Sequence, residues 1–223
     1  MFLLVTDTHL GLQKSADLWH DVTTKLFQEI RDTCVRNNIT TILHLGDFFH
    51  ERKSINTKSL NVAYDIIRML EGIDIHIIAG NHDLFYKDRT KPSSLEALEQ
   101  YDNVHVVYEP TYMPEVNGLL VPWVFQSIDM PEGCKYCFGH FELNGFYMNS
   151  AFKSEKGMDS NIFSEFESVY TGHFHTPSKQ GNIQYLGSPF QQTFHDVGSK
   201  RGYYLFEPAT NELDFIPFKD SPK

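Results

Sequence analysis

Five short fragments place side chains that could hold metal ions directly behind apolar runs: Asp7 and His9 in VTDTHL, Asp47 in HLGDFFHE, Asn81, His82 and Asp83 in AGNHDLF, His140 in FGHFE, and His173 and His175 in TGHFH. A lone His-x-His pair such as 173/175 more often decorates a turn than binds an ion. Five fragments that each deliver imidazole, carboxylate or amide groups make a different case. Glycines at 46, 80, 139 and 172 precede a polar residue in four of them, and a residue without a Cβ lets the chain turn sharply close to an ion. Mixed nitrogen and oxygen ligands suit Mn²⁺, Fe or Zn²⁺ better than Ca²⁺ or the thiolate-seeking metals. The candidates outnumber the positions around one tetrahedral ion. Two ions roughly 3.5–4 Å apart and sharing a carboxylate would accommodate them, lower the pKa of a bound water and clamp the oxygens of an in-line displacement at phosphorus.

Such a site needs elements that bring all five fragments to one edge. FLLVTD reads as a buried strand, and Trp19, Val22, Leu26 and Ile30 recur at helical spacing up to Asn37-Asn38. TTILHLGD is a second strand. Thr57 is the expected N-cap of a helix buried through Leu60, Ala63, Ile67 and Leu70 and closed by Gly72. IDIHIIAGNHD is a third strand, followed by a short helix across SSLEALEQY. This β-α-β-α-β order implies parallel pairing through helical crossovers, with the loops beyond the carboxyl ends of the strands gathered on one side. The second half is richer in strands (VHVVY, GLLVPW, KYCFG, SVYTG, NIQYLG, GYYLFE, LDFIPF). Residues 148 to 161 form the longest irregular stretch and read as a mobile loop.

A chain of 223 residues supports one domain with a sizeable core, expected here to span 1–223. No apolar run approaches the roughly 18 residues that cross a bilayer, and MFLLVTD lacks the basic flank of a signal peptide, so a cytoplasmic protein is expected, away from membranes. Three cysteines argue against a disulfide framework, and the C-x-x-C at Cys134 and Cys137 reads as reduced, structural thiols. A net charge of −10 disfavours nucleic-acid binding over the whole surface, but Arg52, Lys53 and Lys58, and then Lys87, Arg89 and Lys91, cluster just behind the second and third fragments, where they would rim the site. Of the remaining histidines, His44 and His76 are expected to be packed or hydrogen-bonded. Trp123 and the aromatic C-terminal strands are expected to belong to the core.

DTH, GD, GNHD, GH and GHFH, in this order, resemble the signature of the calcineurin-like metallophosphoesterases across nearly the whole chain. The resemblance implies an α/β fold, a four-layer α/β/β/α sandwich with a dimetal site at the strand ends. It implies that Asp7, His9 and His175 hold the first ion, that Asp47 bridges, and that Asn81, His140 and His173 hold the second. It implies two divalent ions, best matched by Mn²⁺, with His82 as the catalytic histidine and Asp83 orienting its ring. GDFFHERK departs from the Gly-Asp-x-x-Asp-Arg-Gly of phosphoprotein phosphatases. His50, three residues past Asp47, looks instead like the SbcD-type break-repair nucleases, which adds it to the catalytic candidates. YLGSPFQQTFHD and RGYYLFE are similar to the SbcD ending, and GNHDLFYK and GHFELNGFY to the phage recombination endonuclease subunits of that group.

The implied activity is metal-dependent cleavage of DNA phosphodiesters in recombination or repair, in the host cytoplasm if the chain is phage-encoded. The implied partners are DNA and an SMC-like ATPase of the SbcC type, and a homodimer stays open. Relatives of that type continue into a DNA-capping region and an ATPase-binding segment, whereas this sequence runs on only briefly past LDFIPF. It is therefore expected to be a minimal nuclease or one whose partner docks elsewhere. A small-molecule phosphodiesterase or phosphatase with the same metals remains the alternative. A nucleic-acid module without activity is disfavoured because every expected ligand and His82 are present.

Overall fold

The first strand is apolar on both faces, and its two faces go to different cores. In β1 (Phe2–Val5), Leu3 and Val5 pack with Val22, Leu26 and Ile30 of α2 (Asp17–Asn37), while Phe2 and Leu4 turn toward Phe138, Tyr170 and Phe206. Strands buried on both sides read as continuous hydrophobic runs, and that is why FLLV carries no alternation. The computed structural model describes residues 1–148 and 152–222. Their order is β1, the irregular turn α1 (Leu12–Ser15), α2, β2 (Thr41–His44), α3 (Thr57–Met69), β3 (Asp74–Ile78), β4 (Val104–Val107), β5 (Thr111–Met113), β6 (Gly118–Val121), β7 (Tyr136–His140), β8 (Ser168–Gly172), β9 (Ser178–Gln180), β10 (Ile183–Tyr185), β11 (Gly202–Glu207) and β12 (Glu212–Pro217).

Two six-stranded sheets result. One runs β12-β11-β1-β2-β3-β4, with β1 to β4 parallel and β11 antiparallel to β1; the other runs β5-β6-β7-β8-β10-β9, with β6, β7, β8 and β10 parallel. Helices α2 and α3 cover the outer face of the first sheet, and a second core fills the space between the sheets. A third core lies on the outer face of the second sheet, where Phe141, Leu143, Phe146, Phe163 and Phe166 meet Val169 and Tyr185. The four layers are thus those expected, but among the described residues the last is built from loops and the 3₁₀ turn Ser160–Phe163 rather than an α-helix.

Several details differ from the sequence reading. Asn56, not Thr57, caps α3, its side chain accepting from the Lys58 N–H at 2.8 Å. The SSLEALEQY segment is a 3₁₀ helix, Ser94–Leu98, held by a Ser93/Glu96 capping box. The short edge strands β5 and β9, three residues each, carry too few positions to show a period. The loop expected over 148 to 161 lies partly outside the described residues. Of the rest, the Ser154 N–H donates to the Phe146 carbonyl at 2.8 Å and the Met158 N–H to that of Glu142 at 2.9 Å, tying the segment to the chain before it. All three cysteines are free and buried, and burial raises their thiols.

Candidate metal centre

The two sheets share one carboxyl edge, and the five fragments meet there. Asp7 and His9 follow β1, Asp47 follows β2, Asn81 follows β3, His140 ends β7, and His173 and His175 follow β8. The loops after β1 and β2 extend the ladder past the strands, through Asp7 N–H to the Gly46 carbonyl at 3.0 Å and His9 N–H to that of Asp47 at 3.0 Å. Asp7, His9, Asp47 and His173 all adopt positive φ (52°, 45°, 55° and 89°), conformations that cost about 1–3 kcal/mol each for residues with a side chain and that persist where the surroundings impose them. Two glycines make the approach of the loops feasible. A Cβ on Gly46 would lie 2.4 Å from His140 Nδ1, and one on Gly80 would lie 2.3 Å from both the N and Oδ1 of Asp47.

The donor atoms converge in overlapping sets. His9 Nε2 and His175 Nε2 are 3.1 Å apart, each 3.9 Å from Asp7 Oδ1. Asn81 Oδ1 lies 3.1 Å from His140 Nε2 and 2.9 Å from His173 Nδ1. Asp47 joins the sets: its Oδ1 accepts from the His82 N–H at 2.7 Å, while Oδ2 sits 3.6 Å from His9 Nε2 and 3.4 Å from His140 Nε2.

Three observations show that these residues fit divalent ions. Two ring nitrogens bound about 2.1 Å from one ion at a right angle would be about 3 Å apart, close to the His9–His175 spacing. His140 Nδ1 donates to the Leu45 carbonyl at 2.8 Å, which leaves Nε2 facing the site, the arrangement in which a ligand imidazole is oriented by its other nitrogen. Asp7 and Asp47 are buried, and among the described residues their ion-pair partners are imidazoles alone, with no lysine or arginine to balance two carboxylates. The donor sets Asp7/His9/His175 and Asp47/His140/His173 each lie close enough to serve one ion.

Burial and the charges of neighbouring groups set the protonation of the donors. Burial alone would lower His140, but the adjoining Asp47 carboxylate raises it to about 9. Burial would likewise raise Asp47, yet the charge of His140 and its hydrogen bond hold Asp47 well below the usual carboxylate range. Burial raises Asp7, against the pull of His140 and His175. Burial, then the charge on His140, lowers His173 to about 3, and burial takes His9 well below its ordinary value.

His82 stands beside both sets. A carbonyl only accepts, so the 2.6 Å contact between its Nδ1 and the His50 backbone oxygen places the proton on Nδ1 and frees Nε2. Its ring lies edge-on to His9 (4.8 Å between centroids) and stacks on His50 (5.6 Å). His50 Nδ1 in turn lies 3.4 Å from His9 Nδ1, so His50 buttresses His9 and His82 with both its ring and its carbonyl.

The geometry departs from the expectation for Asp83. Its carboxylate accepts the backbone N–H groups of Asp47 (2.9 Å), Phe48 (3.4 Å), Phe49 (3.0 Å) and Gly80 (3.0 Å), clamping the two ligand loops together, and the hydrogen bond that orients the His82 ring comes from His50 instead. Burial, then Asp47, pushes Asp83 up to about 7 against the pull of those donors.

Some residues around the centre carried no signal in the sequence. Gln192 donates to the Asp7 carbonyl at 2.6 Å, and the buried Arg201 donates to the His175 carbonyl and pairs with Asp196 at 2.6 Å. Both lie in the segments that resemble the SbcD ending, but a lone glutamine or arginine there has no periodicity or spacing to mark it. Trp123 is half-buried with its ring 5.0 Å from that of His173, so it walls the site as well as packing against the core. His44 is buried, 2.9 Å from Thr8 Oγ1 through its Nε2, as expected of a packed histidine, while half-buried His76 pairs with His105 on the neighbouring strand at 4.7 Å. On the basic rim, Arg52 donates to the Leu84 carbonyl (3.3 Å), whereas Arg89, Lys91 and Lys58 pair with Asp88, Glu96 and Asp17.

A two-sheet α/β sandwich with paired His/Asp donor sets at one edge defines a class, and the chain belongs to it: it is a member of the calcineurin-like phosphoesterase family, whose profile matches residues 1–197 and so takes in every candidate ligand. Within that family it is 34% identical over 224 residues to exonuclease subunit 1 of enterobacteria phage T4, an alignment that covers 95% of this chain and 66% of the phage protein. It is 28% identical over 110 residues to the DNA double-strand break repair protein Mre11 of Sulfurisphaera tokodaii (48% of this chain, 28% of that protein). It is 35% identical over 68 residues to the D-type subunit of the SbcCD nuclease of Staphylococcus saprophyticus (29% and 18%). The chain is thus a homologue of nuclease subunits and spans just under two thirds of the phage protein's length. Among the described residues no helix is long and apolar enough to cross a membrane.

Proposed function

We propose that this chain is a nuclease subunit that hydrolyses DNA phosphodiesters with two divalent ions, Mn²⁺ before others, in recombination or repair. The single observation that carries the reading is the placement of Asp47 Oδ2 between His9 and His140, one carboxylate oxygen shared by two donor sets. Asp7, His9 and His175 would hold one ion and Asn81, His140 and His173 the other, with Asp47 placed to serve both. When bound, the ions supply an activated water and neutralise charge at the phosphoryl oxygens.

The chain's own residues do the rest. With Nδ1 tied to the His50 carbonyl, His82 presents Nε2 to the site and, when protonated, delivers that proton to the departing sugar oxygen. His50 keeps the His82 ring in register, and Asp83 fixes the loop that aims Asp47. Trp123, half-buried against His173, restricts water on that side.

DNA is the substrate that the homologues' names and the basic residues Arg52, Lys53, Lys87 and Arg89 behind the ligand loops support. The word "subunit" in two of those names supports a partner, an SMC-like ATPase of the SbcC type, and assembly as a homodimer is compatible with it. Residues 1–223 form a single phosphoesterase domain, and it acts in the cytoplasm, that of the host if the chain is phage-encoded. Metal-dependent hydrolysis is compared on linear duplex, single strands and bis-p-nitrophenyl phosphate, after chelation and after return of Mn²⁺ or Mg²⁺. Activity on DNA that chelation abolishes and Mn²⁺ restores is expected. Activity on the small diester alone would favour a small-molecule phosphodiesterase, and binding of only one ion in excess Mn²⁺ would refute the shared centre.

A further inference from the structure

We infer that the cavity lined by Trp19 and Phe194 is a pocket for a single unpaired nucleobase. The inference rests on the nuclease reading above and names a part of the substrate that the metal centre does not touch.

The cavity has a volume of about 570 Å³, within the range of small-ligand sites and roomy for one base. Among the described residues its lining is uncharged: two aromatic rings, Trp19 and Phe194, the apolar Val197 and Pro222, and glutamine and threonine side chains. None of them offers an anion a charge. A planar, neutral group that stacks and offers hydrogen bonds at its rim matches the rings and the amides, and glutamine amides are standard partners for base edges.

Two further facts bear on the pocket. Gln192 is 4% exposed and its amide nitrogen is spent on the Asp7 carbonyl, so the lining of the cavity is fixed against the loop that carries Asp7. Phe194 is 97% exposed, yet the turn that displays it is braced from behind. Asp196 accepts from the N–H groups of Gln192 (3.0 Å) and Thr193 (2.9 Å) and pairs with Arg201, which also holds the His175 carbonyl. A large apolar ring on a rigid mount is preorganised for a face that arrives from solution. Through Gln192 and Arg201 the same turn is tied to Asp7 and His175, so a base in the pocket sits at a fixed place relative to the scissile bond.

The test uses Phe194→Ala, which removes an exposed ring that none of the ligand loops contacts. Hydrolysis is compared on a short thymidylate strand and on copies lacking one base at successive positions around the cleaved bond. For the wild-type protein one abasic position raises KM by about 5- to 100-fold, the worth of one stacked base. For Phe194→Ala the intact strand suffers a comparable rise and the abasic copy is no worse, while bis-p-nitrophenyl phosphate is hydrolysed as by the wild type. Equal KM values for the two proteins on the intact strand overturn the pocket and leave the nuclease reading standing. If neither protein cleaves any strand though both hydrolyse the small diester, the nuclease reading falls, and anisotropy of labelled thymidylate strands in chelator decides the pocket: tighter binding of the intact strand by the wild type alone keeps it, and identical binding overturns it. Loss of self-association in Phe194→Ala with no change toward any strand would assign the face to a second copy and also overturn it.

Discussion

Gly80→Ala tests how tightly the bridging carboxylate is held. The new Cβ would sit 2.3 Å from Asp47 N and from Asp47 Oδ1, and 3.0 Å from the Gly46 carbonyl carbon, so the loops must part by about 1 Å to reach an ordinary contact. Nothing flexible is available to yield, because the Asp47 N–H is already bonded to Asp83 at 2.9 Å and Oδ1 to the His82 N–H at 2.7 Å. Overpacking of this kind costs about 1–3 kcal/mol, which in a chain of this length lowers Tm by roughly 2–12 °C. The functional effect is larger, since a 1 Å misplacement costs on the order of 100-fold in rate. Because Asp47 Oδ2 faces both donor sets, both ions are expected to bind more weakly, whereas loss of a ligand from one set would affect one ion. The assay is calorimetric titration with Mn²⁺ alongside turnover of bis-p-nitrophenyl phosphate. Gly72→Ala serves as control, since its φ of 84° brings backbone strain but a Cβ there meets nothing within 4 Å. Wild-type Mn²⁺ affinity and turnover in Gly80→Ala would refute the contact argument.

Four other outcomes are expected. His82→Ala should bind two ions normally and lose about 10²–10⁴-fold on DNA but less on a nitrophenyl ester, whose leaving group needs no proton, whereas His140→Ala should lose the second ion and fail on both; metal loss in His82→Ala would move that residue among the ligands. His140, held at about 9 by Asp47, must shed a proton to bind an ion, so titrations in different buffers should show proton release below pH 9 and apparent affinity rising with pH up to that value; affinity flat from pH 6 to 9 would contradict it. Asp83→Asn at pH 8 should weaken Mn²⁺ binding by about 10–100-fold and slow both kinds of substrate alike, while a loss confined to the poorer leaving group would return Asp83 to the His82 ring. Replacing Lys53, Lys87 and Arg89 by Ala should weaken DNA cleavage and flatten its salt dependence with little change on the small diester; equal loss on both would make the rim structural.

The ligand candidates were legible in the sequence because ligand chemistry restricts residue type, and because a parallel strand must end before its loop can offer a side chain. Asp7, Asp47, Asn81, His140 and His173 each sit at or within three residues of the end of an apolar run, and those runs became β1, β2, β3, β7 and β8. β1 and β6 were readable because burial on both faces demands unbroken hydrophobic stretches. What depends on contacts between distant segments was not. Gln192 reaches the Asp7 carbonyl across 185 positions, and Arg201 holds the His175 carbonyl, through bonds to backbone oxygens that every residue possesses, so no residue pattern marks them. Asp83 looked like a partner for its neighbour His82, yet folding turned its carboxylate toward four backbone N–H groups. The His82 proton was settled by a carbonyl of His50, 32 positions away. Sequence determined which groups reach the edge of the sheets. Only the packing of one sheet on the other decided which atoms face each other there, because that depends on backbone positions to a fraction of an ångström.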